Sequence, residues 1–155
     1  MRARCERAAA IVAAEPDEPW LIWCGLNDEA ELLAKLIPDA VNVHGGWSPE
    51  DKADALLGFA DGSIQRLITK PSLAAFGLNW QHCARMAFVG LSDSYEAYYQ
   101  SIRRCYRYGQ QRVVDVHIVL SQLEAQIADN VRRKEQDAAM VAQQMVTAMQ
   151  EGRGL

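Results

Sequence analysis

Five short apolar runs recur along the chain, separated by stretches whose apolar residues repeat at helical spacing. Trp20 to Cys24, WLIWC, is apolar throughout, as expected of a strand buried on both faces. DAVNVHGG, ending in paired glycines, QRLITK, ARMAFVG and RVVDVHIVL supply four more candidate strands. Residues 2–14 read as an alanine-rich helix stopped by EPDEP. Asn27 is placed to cap a second helix reaching about Leu36, with Asp28 and Glu29 in its first turn. Ser48 caps a third, SPEDKADALLGFA, which has proline at its first position. Strands alternating with helices predict an α/β fold with a mainly parallel sheet. Beyond Ser121, Leu123, Ile127, Val131, Ala138, Val141, Met145 and Ala148 recur at helical spacing and predict one long amphipathic helix. The chain therefore divides into a domain over 1–121, of which 1–17 is a leading helix and turn, and a helix and tail over 122–155.

Composition narrows the function. With 155 residues, half of them apolar, the chain is long enough for one domain with a real core. A net charge of −4 excludes a broad basic field that would hold nucleic acid non-specifically. Cys5, Cys24, Cys83 and Cys105 are scattered without a C-x-x-C pair, and the three histidines are dispersed, so no metal site and no disulfide framework is expected. A reduced, cytoplasmic protein is the simplest reading. No apolar run approaches membrane-spanning length, so no membrane partner is expected.

Ligands of parallel sheets sit outside the carboxyl ends of the strands. Here those ends lead into GLN, HGGWS, KPSLAAFGLNWQ and GLSDSY. Next comes an arginine-rich stretch, YYQSIRRCYRYGQQR, read as a helix over 95–107. At about 100° per residue, Gln100, Arg104 and Arg107 share one side within roughly 60°, and Tyr95, Tyr98, Tyr99, Ile102 and Tyr106 share the other. The aromatic side is expected to pack on the sheet. The other side is either a solvated face or a phosphate clamp, since arginine forks bind phosphate oxygens bidentately. Spacing alone leaves both open.

QSIRRCYRYGQ resembles motif VI of superfamily 2 helicases, most closely the Swi/Snf-type translocases and their phage relatives. The family pattern is met at Gln100, Arg104, Arg107, Gly109 and Gln110. LITKPSLAAFGLNWQ resembles motif V, with Gly77 and Asn79 in its Gly-x-Asn ending, and VNVHGGWSPEDKADALLGFADG resembles the segment upstream of it. Tyr106 stands where the family usually has histidine. The resemblance covers about residues 18–120 and implies a RecA-like second helicase lobe. It implies that Arg104 and Arg107 act as arginine fingers on ATP, that Gln100, Gly77 and Asn79 lie at the nucleotide, and that His44, Gly45, Thr69, Lys70 and Ser72 touch the DNA backbone. ATP and Mg²⁺ would be bound mainly by an N-terminal RecA-like lobe of the same polypeptide. No G-x-x-x-x-G-K-[ST] occurs in this sequence, so the chain is expected to be inactive alone as an ATPase. DEAE at 28–31 mimics a Mg²⁺-binding box, but an acidic helix start explains it. Trp80 and His117 read as packed core or edge residues, His82 and Cys83 as loop residues. The alternative is a non-catalytic interaction module that self-associates through its terminal helix.

Overall fold

A computed structural model describes residues 1–73, 78–92 and 94–152. Its sheet has five parallel strands: β1 (Trp20–Cys24), β2 (Ala40–Asn42), β3 (Arg66–Thr69), β4 (Arg85–Val89) and β5 (Asp115–Val119). Their order is β2-β3-β1-β4-β5. The most apolar strand is thus the central one, with Ile22 in register with Ile68 on one side and Ala87 on the other. All five residues of β1 are buried.

Strand alternation sends two sets of side chains to opposite faces. Trp20, Ile22 and Cys24 meet Ile68, Ala87 and Val89 beneath α1 (Arg2–Ala13) and α2 (Asn27–Leu36), which contribute Ala8, Val12, Ala30 and Leu33. Leu21 and Trp23 meet Leu67, Met86 and Phe88 on the other face. That face is covered by α3 (Pro49–Asp61) and α4 (Tyr95–Ile102), with Phe59 and Tyr98 reaching inward. Burying each large apolar side chain is worth about 1.5–3 kcal/mol, so the two faces of β1 dominate the hydrophobic term.

Local chemistry sets the helix ends. Ser48 caps α3, its Oγ accepting the Asp51 N–H at 3.1 Å, with Pro49 next. Gly62 closes that helix at φ 87°, where a side chain would be strained. Asn27 does not cap α2: it is the first helical residue, and Leu26 occupies the cap without a side-chain bond. The terminal helix α5 (Ala125–Gly152) follows a 3₁₀ turn over Gln122–Glu124. Val131 is buried against Tyr98 and its neighbours, whereas Met140, Val141, Met145, Val146 and Met149 are about half exposed. Among the described residues, no helix is long and apolar enough to cross a membrane.

One ionic bracket ties three helical elements together. Arg4 of α1 pairs with Glu29 of α2, which is 1% exposed, and with Glu124 before α5. Glu124 also closes a capping box by accepting from the Ser121 N–H and hydroxyl. Burial works to raise the Glu124 carboxyl, but the Ser121 and Arg4 hydrogen bonds outweigh it and hold the group below its ordinary value. A depressed carboxylate contributes stability above the unfolded value, about 4.5, that disappears as pH falls through the folded one. Glu124→Gln should therefore flatten the acid limb of a stability–pH profile. Glu29→Ala, which removes a buried partner of Arg4, should cost about 3 kcal/mol in urea unfolding. A loss under about 0.5 kcal/mol, typical of an exposed pair, would contradict the bracket.

Candidate functional site

The carboxyl ends of β1, β3 and β4 open into a cavity of about 790 Å³ beneath α4. Trp23, Phe88 and Tyr98 contribute aromatic walls, and Lys70, Gln100 and Arg104 contribute polar ones. The cavity lies between β1 and β4, where the chain's connections reverse direction across the sheet. Cys24 also lines it, but burial pushes its thiol up to about 12, so it is a neutral group and not a nucleophile.

The arginine-rich stretch is not one continuous helix. α4 ends at Ile102, and residues 103–109 continue as turns, with Arg104 N–H bonded to the Ser101 carbonyl and Cys105 N–H to that of Ile102. The chain turns because Cys105 is drawn into the core and the Arg104 carbonyl accepts the Trp80 N–H at 2.8 Å. The helical-side geometry expected from 100° spacing therefore fails beyond Ile102. Tyr98 is buried as expected, but Tyr106 is 65% exposed and Tyr99 43% exposed.

What replaces the helix is a clasp between segments 78–83 and 104–110. Besides the Trp80–Arg104 bond, Arg107 Nη1 donates to the Leu78 carbonyl at 3.1 Å. The Gln110 side-chain amide donates to the carbonyls of Gln81, Cys105 and Cys83 at 2.7, 3.1 and 3.2 Å, sharing its two hydrogens among them. Gly109 sits beside it at φ 95°, and a Cβ there would meet Gln81 Oε1 at 3.0 Å. The Gly-Gln that closes the motif thus has a structural role on both counts.

Gln100 and Arg104 reach the large cavity, whereas Arg107 and Asn79 lie outside its lining. Asn79 is exposed, and its Oδ1 accepts the Gln81 N–H at 3.1 Å, shaping the turn next to Leu78. Gly77 lies outside the described residues. Burial first, and then the Arg107 charge, lower the Arg104 pKa, and among the described residues no carboxylate pairs with it. An anion there would relieve both penalties.

The residues expected at nucleic acid fall into two groups. His44, Thr69 and Lys70 share a cleft of about 140 Å³, and Lys70 with Ser72 also borders the large cavity. Gly45 is exposed in the loop between, with open space around its Cα. Thr69 is 1% exposed, and among the described residues its Oγ1 lacks a partner, as does the buried Oδ1 of Asn42 in the same cleft. His44 Nε2 accepts the Trp47 indole N–H at 2.9 Å, which orients the ring within its own loop.

Asn42 escaped the sequence reading, although a polar residue inside VNV is a visible signal. The Arg4–Glu29–Glu124 bracket left none, because its members are 25 and 120 residues from Arg4. Trp80 is fully buried and bonded to the Leu56 carbonyl, and His117 packs on Trp20 at 5.6 Å. Cys83 and His82 lie in the loop before β4, as read from the sequence, but both are packed. Cys83 is fully buried, and His82 lies against the Phe59 ring at 5.1 Å, with burial lowering its pKa despite a bond to Phe59. Among the described residues, no three His, Cys, Asp or Glu side chains are grouped to hold a metal.

Residues 4–109 match the model of the helicase conserved C-terminal domain. The chain belongs to that family. Among solved structures, the C-terminal part of the Fun30 ATPase domain resembles this helicase domain with a TM-score of 0.71 at 16% identity. The likeness covers 83% of this chain and 44% of that one, so this chain spans less than half the length of that relative. At such identity the likeness is one of fold, a RecA-like lobe. No curated protein sequence matches the chain.

Within this helicase domain the clasp sets how the two arginines are displayed. Gly109→Ala should cost about 1–2 kcal/mol for its left-handed backbone alone, with a further loss from the Gln81 contact. Thermal unfolding checks this, and an unchanged midpoint would show that neither constraint is felt.

Proposed function

We propose that this chain is the second motor lobe of an ATP-dependent DNA translocase of Swi/Snf type. The observation that carries the reading is the pair Arg104 and Arg107, held by the clasp beside the strand ends, with no carboxylate among the described residues neutralising Arg104. ATP is the substrate, held with Mg²⁺ by a first RecA-like lobe. As the lobes close, Arg104 and Arg107 meet the charge that develops on the γ-phosphate, and Gln100 offers an amide beside them. Asn79 is assigned to the nucleotide side of this edge, the role that the family resemblance gives it together with Gly77. Lys70, Ser72, His44 and Gly45 contact backbone phosphates, which fixes position without reading sequence; Thr69, 1% exposed, is kept from such a contact by its burial. Alternate closing and opening then moves the lobe along the strand.

The second reading, an interaction module, draws on the half-exposed Met140, Val141, Met145, Val146 and Met149 of α5. It requires no turnover in any context.

The test is ATP hydrolysis, with and without DNA, by this chain joined to its phosphate-binding lobe. Arg107→Ala should lower kcat by roughly 10³-fold or more, the scale of an arginine finger, and leave DNA affinity nearly unchanged. Lys70→Ala should instead weaken DNA binding and reduce the slope of log K against log salt by about one. Full turnover in Arg107→Ala would overturn the finger assignment, and no turnover under any nucleic acid would favour the interaction module.

A further inference from the structure

All five tyrosines of the chain lie between residues 95 and 108, and three of them have occupied rings. Tyr98 is buried against Phe88, with ring centroids 5.1 Å apart. Tyr95 and Tyr99 stack on each other at 5.9 Å, and the Arg103 guanidinium covers Tyr99 at 5.6 Å. Tyr106 and Tyr108 differ. They are 65% and 104% exposed, and neither ring meets another ring or a cation. In sequence they bracket Arg107, with neighbouring Cα atoms about 3.8 Å apart. Their backbone is held on both sides. The Tyr106 N–H bonds to the Ile102 carbonyl at 2.9 Å, the Gln110 N–H bonds to the Arg107 carbonyl at 3.0 Å, and Gly109 turns the chain at φ 95°.

Two bare rings on a fixed backbone make a surface that loses little freedom when a ligand is placed on it. Tyrosine joins an apolar face to a polar tip, which suits a flat partner that stays partly wet. Nucleobases are such partners, since every base has a π-face that stacks on an aromatic side chain. A nucleoside triphosphate carries its phosphates at one end and its base at the other, and Arg104 and Arg107 engage only the phosphates. We propose that Tyr108 stacks on the base of the nucleotide whose γ-phosphate meets these arginines, with Tyr106 flanking it. A purine offers two fused rings to the stack and a pyrimidine one, so the site prefers a purine triphosphate. The inference rests on the motor reading and takes the base from the free nucleotide, not from nucleic acid. Lys70, Ser72 and His44, the residues given to DNA phosphates, line the cavity and the cleft at the strand ends, and neither ring borders either one.

The test is calorimetric binding of the non-hydrolysable β,γ-imido analogues of ATP and CTP to this chain joined to its phosphate-binding lobe. Tyr108→Ala should weaken the adenine analogue about tenfold, the scale of one lost base stack, and the cytosine analogue by less. Tyr108→Trp should restore adenine binding, which a merely structural role would not allow. Tyr106→Ala should add a smaller loss. Because Tyr108 is fully exposed, its replacement removes no core contact, and the thermal midpoint should stay unchanged. An affinity for the adenine analogue within about twofold of the unmutated protein's in Tyr106→Ala/Tyr108→Ala overturns the proposal. So does unchanged nucleotide affinity with weakened binding of single-stranded oligo(dT), which would give the rings to a nucleic-acid base. The readout involves no hydrolysis, so failure of the motor reading, nucleotide bound but never turned over, is distinct from failure of this one.

Discussion

The Gln110 amide spans three carbonyls that the chain would otherwise leave apart, and the edge that carries Arg104 and Arg107 is built around it. Residues 78–83 and 104–110 are irregular backbone, so their N–H and C=O groups lack the partners that a helix or strand supplies. Gln110 binds the carbonyls of Gln81, Cys83 and Cys105, and the Trp80–Arg104 bond fastens the segments at their middle. Arg107 is held to Leu78 in the same way. Two guanidiniums that repel each other are thereby kept side by side, one of them partly buried. An anion at Arg104 would relieve both its burial and the neighbouring Arg107 charge.

The layers of the fold were legible because their signals are local. WLIWC reads as a strand buried on both faces and Ser48-Pro49 as a helix start, and both are found. The extent of α4 was not legible. Helical periodicity runs through Arg107, and only the tertiary demand for the Arg104 carbonyl and the burial of Cys105 divert the chain after Ile102. Asn27 also failed as a cap: the helix starts one residue earlier than the side-chain chemistry alone suggests. Of the candidate site the sequence offered names of residues and no geometry. Gln100, Arg104 and Lys70 do border one cavity, but Arg107 and Asn79 stand beside it, joined to it through the clasp.

Glu29 shows how the same residue changes meaning with context. Within DEAE it imitates a metal-binding carboxylate, yet it is buried against Arg4 and spends its charge on holding α1 to α2. Through Arg4 the same bracket reaches Glu124, so the start of α5 is fixed next to the cavity. Val131 then anchors the helix against α4, and the remainder extends from the body with its apolar residues half exposed. The terminal helix is therefore mechanically continuous with the edge that carries the arginines.

The most direct test of this account is ATP turnover in Gln110→Ala, with the phosphate-binding lobe and saturating DNA. Gln110 itself is given no contact with ATP or DNA in this account, so its effect can come only through the display of Arg104 and Arg107. The account predicts a fall in kcat of about 10²-fold, the scale of a misplaced catalytic group, with DNA affinity unchanged. Normal turnover in a folded Gln110→Ala protein would contradict it.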